Sequence, residues 1–166
     1  MNDGEAHALA MLRTSGVKFG AVSVSLGTGV GIGVIGADRR ICRPCSGENW
    51  DVGDFQLTTR ASDKSVWWAL GSNGLRELES NMGSEAAAMH FGSRLGAFFV
   101  QLCTVFPPRT IVVSGGIANR KWKLMRSTVA GEMTRIPSHF DHPKLIPSPF
   151  EEAALVGAAQ ALAYLC

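Results

Sequence analysis

Two glycine-rich stretches hold the residues best suited to grip an anion. The first, SVSLGTGVGIGVIGADRR from Ser23 to Arg40, places five glycines within Gly27 to Gly36. Thr28 stands between Gly27 and Gly29, so a turn there offers a hydroxyl beside several backbone N–H groups. The second, VVSGGIANR, follows a strand pattern and precedes a helical one. That order puts the N–H groups of Ser114, Gly115 and Gly116 at a helix start, where they could meet a nucleotide. Neither stretch is a Walker loop, which needs a lysine followed by Ser or Thr as the helix begins. The first is not a dinucleotide fingerprint either, because a second strand follows it and not a helix. The competing reading is a bare hairpin whose glycines serve only the turn. Glycine inside a strand weakens it, so Gly29, Gly31 and Gly33 imply that something approaches the backbone closely.

The elements that must position these turns follow from hydrophobic period. Asn2 and Glu5 have the spacing of a capping box, and Ala6, Leu9, Ala10 and Leu12 give a short apolar helical face. AVSVSL and VGIGVIG alternate as strands, ADRR is a polar turn, and RICRPC makes a third strand ended by Pro44. Within residues 46–83, DFQLTT reads as a strand, and SVWWALGSNGLRELES as helical pieces broken at Gly71 and Gly74. Phe91, Leu95, Phe98, Leu102 and Val105 form the stripe of a helix stopped by Pro107 and Pro108. TIVVSGG is a short buried strand, 119–135 a helix and KLIPS a strand. Ser148, Pro149 and Glu151 then supply an N-cap, an N1 proline and an N3 acid for a last helix rich in small residues. The order, a helix and then β-β-β-α-β-α-β-α, predicts an α/β domain with a mixed sheet covered by helices.

Composition sets the bounds. The 166 residues make one ordinary domain, 46% hydrophobic and 18% charged, as in a globular protein. A net charge of +2 without a basic block gives no electrostatic support for nucleic-acid or membrane-surface binding. The opening MNDGEAHALAML has acids and no basic region, unlike a secretory signal, and no apolar run is long enough to span a membrane. Four cysteines, with only Cys42 and Cys45 close in sequence, make no disulfide framework, so the default expectation is the reducing cytoplasm.

Taken in order, these pieces resemble the C-terminal half of a ROK-family, glucokinase-like sugar kinase, in the superfamily that also contains actin. NDGEAHAL resembles the family's Asn-Asp segment, GTGVGIGVI its phosphate-contacting hairpin, and IVVSGGIAN its glycine-rich nucleotide turn. EEAALVGAAQALAYL resembles its closing helix. The resemblance spans nearly the whole chain. It implies a ribonuclease H-like, actin-like ATPase fold with helices on both faces of the sheet, and phosphoryl transfer from ATP, with Mg2+, to a sugar hydroxyl.

The resemblance makes Asp3 the base near the attacking hydroxyl; without it, Asn2 and Asp3 read as a helix cap. It makes Gly27, Thr28, Gly29, Ser114, Gly115 and Gly116 nucleotide contacts. Sugar hydroxyls would meet Asn2 and acids among Glu48, Asp51 and Asp54. DVGD stands where the family has Glu-x-Gly-His, while SGE at 46–48 offers Glu48 as the matching acid; a solvated acidic loop is the alternative for all three. The family's zinc cluster is missing, and Cys42 and Cys45 need two more ligands, so no zinc is expected. Trp67 and Trp68 read as core or interface rather than a sugar platform, and His7 and His90 as packing or surface residues.

The family's N-terminal Asp-x-Gly-Gly-Thr phosphate segment, whose Asp helps hold magnesium, has no counterpart here. Three readings follow: a kinase C-terminal domain, either a truncated product or one partner of a separate N-terminal chain; a non-catalytic nucleotide- or sugar-binding domain; or a dimerisation module. In the third, the helix of Phe98 and the tryptophan pair form the interface of a homo-oligomer. A ROK-type repressor is disfavoured, since the chain shows no helix-turn-helix and no basic face.

Overall fold

A computed structural model of the chain describes residues 3–47, 50–52 and 64–165, with side chains to 162. The strand expected from DFQLTT lies outside these residues, as do Asn2, Glu48 and Asp54. Helix α1 (Asp3–Ala10) and a short 3-10 turn (Met11–Arg13) lead into strands β1 (Ala21–Leu26), β2 (Val30–Ile35) and β3 (Ile41–Cys42). Helices α2 (Val66–Ala69), α3 (Ser72–Met82) and α4 (Ser84–Val105) follow. The chain continues through β4 (Thr110–Ser114), α5 (Gly116–Met133), β5 (Lys144–Pro147) and α6 (Ala153–Leu165).

The five strands form one mixed sheet in the order β3-β2-β1-β4-β5. β1, β2 and β3 are the expected antiparallel meander; β4 pairs parallel with β1 (Val22 opposite Ile111), and β5 parallel with β4. Side chains alternate across the sheet. Val22, Val24, Ile111 and Val113 join the large core beneath α4 and α5, and Ala21, Ile35 and Val112 join a smaller one with Ala8 and Met11. Helices therefore cover both faces, and the mixed α/β fold expected from the sequence is the one observed.

The α4 stripe is buried as its spacing predicts: Phe91, Leu95 and Phe98 are fully buried and Leu102 nearly so. Truncating one such phenylalanine to alanine costs on the order of 3–5 kcal/mol. Val105 departs from the stripe at 54% exposure, because the last turn of α4 runs past the core. The Phe98 ring is fully buried in the chain's own core, while Met89 of the same helix is exposed. α5 packs tightly on α4: a side chain at Gly96 would strike the Glu132 side chain and the Val129 carbonyl, and Ser93 donates to Glu132 at 2.6 Å.

On the other face, glycines bring backbones together. A side chain at Gly33 would collide with the Gly4 carbonyl and, at 2.6 Å, with the Ala8 methyl. One at Gly4 would meet the Ile32 backbone, and one at Gly157 of α6 would occupy the place of the Ala6 carbonyl. α1 is thus clamped between β2 and α6. What approaches the backbone of β2 at Gly33 is helix α1; at Gly31 the nearest group is the Ser25 hydroxyl.

The last helix starts later than expected. Ser148 accepts from the Phe150 amide at 3.2 Å and so shapes a turn, Glu151 and Glu152 continue that turn, and the helix begins at Ala153. The Ser148 amide donates to the Val113 carbonyl at 2.7 Å, which ties this turn to the end of β4.

Candidate functional site

β1 and β4 run parallel side by side, so their carboxyl ends open at the same edge of the sheet. Loops at that edge are where open α/β sheets place ligands. β1 ends in the turn of Gly27, Thr28 and Gly29, and β4 ends at Gly115, from which α5 starts. The two glycine turns, far apart in sequence, meet across one cleft of about 710 Å3.

Each turn is held locally. The Gly27 amide donates to the Gly29 carbonyl at 3.0 Å, and the Ser72 amide at the head of α3 donates to the Gly27 carbonyl at 2.9 Å. Gly27 and Thr28 stay exposed, and a side chain added at Gly27 would meet nothing within 4 Å. Gly29 differs: the indole ring of Trp67 fills the space its side chain would need. Trp67 is 44% exposed and lines the cleft beside the turn, whereas sequence reasoning put it in the core or at an interface. Gly115 has φ 92°, which favours glycine, and the Leu26 backbone lies where its side chain would point. Its carbonyl accepts from the Asn119 amide at 3.0 Å, closing the first turn of α5. The other amides of that turn have no intrahelical acceptor, and Gly116 is exposed at the cleft.

α1 supplies the floor. Because Gly4 and Gly33 let the helix settle onto β2, its first residue, Asp3, reaches the cleft edge. Asp3 Oδ1 accepts from the Gly4 amide at 2.9 Å and lies 3.7 Å from where a Gly31 side chain would begin. Glu5 of the same helix points elsewhere. It is buried and takes a paired interaction from Arg43, Nε to Oε1 at 2.6 Å and Nη2 to Oε2 at 3.1 Å. The far wall comes from Asn119 and Arg120 of α5 and from Glu151 and Glu152; Asn119 Nδ2 donates to the Glu151 carbonyl at 3.2 Å.

Of the residues singled out from sequence, Asp3, Gly27, Thr28, Gly29, Gly115 and Gly116 share this cleft. Ser114 is buried beneath it, its hydroxyl 2.8 Å from His7 Nδ1 and 3.4 Å from the Val24 carbonyl. Asp51 is exposed and does not line the cleft. Among the described residues no group of three His, Cys, Asp or Glu could hold a metal ion. Sequence reasoning missed His7, Arg120 and Glu152. His7 lies four residues after Asp3, hence on the same helix face, and Arg120 closes the IANR of the second glycine stretch; both signals were present.

The sequence matches no protein-family model and no curated protein. Solved structures do match. A ROK hexokinase from Thermus thermophilus superposes with a TM-score of 0.73 at 21% identity, over 99% of this chain and 64% of its own. A ROK family glucokinase from Streptomyces griseus, in complex with glucose and AMPPNP, gives 0.74 at 17%, over 96% of this chain and 66% of its own. A ROK family transcriptional regulator, a homolog of the E. coli MLC protein, gives 0.78 at 18%, over 99% of this chain and 51% of its own. The chain therefore has the fold of the ROK sugar kinases and spans about 64% of the length of the hexokinase it matches. No helix among the described residues is long and apolar enough to cross a membrane.

Proposed function

We propose that this chain is the C-terminal-type domain of a glucokinase-like hexose kinase, transferring the γ-phosphoryl group of ATP to a sugar hydroxyl in the cytoplasm. The observation that carries the reading is the convergence of Asp3, the turn at Gly27–Gly29 and the start of α5 on one cleft. Phosphoryl transfer asks mainly for position and charge stabilisation. Thr28 and the turn amides not engaged within the turn grip phosphate oxygens from one side. The open amides at the head of α5, aided by Arg120, grip them from the other. Asp3 accepts a hydrogen bond from the attacking hydroxyl, aims it at phosphorus and takes its proton as the new bond forms. Asn2 and acids of the 48–54 segment hold neighbouring hydroxyls.

Among the described residues no three His, Cys, Asp or Glu side chains come together as a metal cage, and no step is routed through magnesium. Closing the cleft over both substrates calls for a second wall, which we assign to an N-terminal domain. The cleft itself supplies the test: ATP-dependent hexose phosphorylation, measured with a coupled assay in magnesium and a supplied N-terminal domain. Asp3→Asn is expected to lower turnover by about 10²–10⁴-fold. No turnover with that domain present, or turnover indifferent to Asp3, overturns the reading.

The likeness to a ROK transcriptional regulator favours one second reading, a domain that binds nucleotide or sugar without chemistry. Calorimetric binding of ADP or a hexose, without turnover, would select it.

A further inference from the structure

His7 is the cleft residue whose presence the proposed reaction does not explain. It lines the cleft one helical turn after Asp3, half-buried, with Nδ1 2.8 Å from Ser114 Oγ. Ser114 Oγ in turn lies 3.4 Å from the Val24 carbonyl. If the hydroxyl donates to that carbonyl, it must accept from Nδ1–H, and the chain of bonds is the one a charged imidazole would make. The other ring nitrogen, Nε2, makes no hydrogen bond among the described residues, so the ring is fixed on its buried side and uncommitted on the other.

The charge of the cleft gives this ring a task. Among the described residues three carboxylates line it, from Asp3, Glu151 and Glu152, against one fixed cation, Arg120. A polyphosphate entering such a cleft meets repulsion that one guanidinium does not balance. We propose that His7 is a phosphate-binding residue of the cleft, held by Ser114, that takes up a proton as the anion enters. The inference rests on the nucleotide-binding part of the function proposed above.

The groups around the ring are consistent with it. Desolvation dominates and holds the empty-cleft imidazole below its ordinary range; Asp3 on its own helix and Glu152 on the facing turn pull the other way. Strands β1, β2 and β4 present no charged side chain to it, and Glu5, also on α1, is engaged by Arg43. The ring is therefore neutral near pH 7 until further negative charge arrives, and the anion's own field is what raises its proton affinity.

The test is calorimetry of ATP binding to the 166-residue chain near pH 7, in two buffers of different ionisation heat. The nucleotide's own titration contributes equally to wild type and His7→Gln, so the difference between them is read. Wild type should take up about 0.5–1 proton more than the variant. Its affinity should also fall about fivefold further than the variant's between pH 6 and pH 8. Nitrogen-15 NMR of the His7 ring in the wild-type chain reads the same event without any substitution; the ring should change from neutral to charged as ATP is added. ATP binding with equal proton uptake in both proteins, or a ring that stays neutral when ATP is bound, overturns this proposal and leaves the kinase reading standing. Failure of the wild type to bind ATP also overturns this proposal; the kinase reading is overturned by its own assay, in which the N-terminal domain is supplied.

Discussion

Gly27 and Gly33 lie in the same stretch and look alike in sequence, yet the molecule uses them in opposite ways. At Gly33 the space beyond the α-carbon is filled by protein: the Gly4 carbonyl and the Ala8 methyl. At Gly27 it is empty. The strand glycine admits a helix, and the turn glycine leaves room for something that is not part of the chain. Gly31 stands between the two cases. It lines the cleft, and a side chain there would strike the Ser25 hydroxyl, while Gly33, by admitting α1, helps bring Asp3 to the cleft edge. A strand glycine can thus serve a site without touching a ligand.

Three substitutions press on this contrast. Gly33→Val forces a branched side chain into the α1 backbone and should cost about 3 kcal/mol, read from the urea midpoint. A loss under about 0.5 kcal/mol would mean that α1 is not clamped there. Gly115→Ala should cost about 2 kcal/mol, combining the strain of a left-handed residue with the nearby Leu26 backbone. It should also weaken ATP binding, because the start of α5 moves with it. Gly27→Ala should leave stability within about 0.5 kcal/mol and lower ATP affinity by about tenfold. Equal effects on stability at positions 27 and 33 would erase the distinction.

What could be read in the sequence was local. The alternation of β1 and β2, the stripe of α4 and the two glycine turns depend on neighbours a few residues away, and each is found in place. The misreadings share a different origin. Val105 continues the α4 period, yet only the extent of the core under that helix decides where burial stops. Ser148 has the pattern of an N-cap, but its amide is drawn to Val113 and the helix begins at Ala153. Trp67 reads as core or interface, because nothing near it in sequence says that its ring will lie on Gly29. His7 reads as a packing or surface residue, and its bond to Ser114 joins residues 107 positions apart. Periodicity identifies faces; it does not say which face meets which.

The clamp of α1 between β2 and α6 has a consequence for how the protein is made. Ribosomal synthesis runs from the amino end, so α1 emerges well before α6, the helix that covers it. Gly157 cannot meet Ala6 until nearly all the chain is available, and Glu151 and Glu152 enter the cleft with that same late segment. Contacts this distant in sequence close slowly. A nascent chain released before α6 would carry both glycine turns and Asp3, but its first helix would lie bare on one side. Such a chain would be a ready target for chaperones and proteases. The later segment is the one that completes the site begun by the earlier.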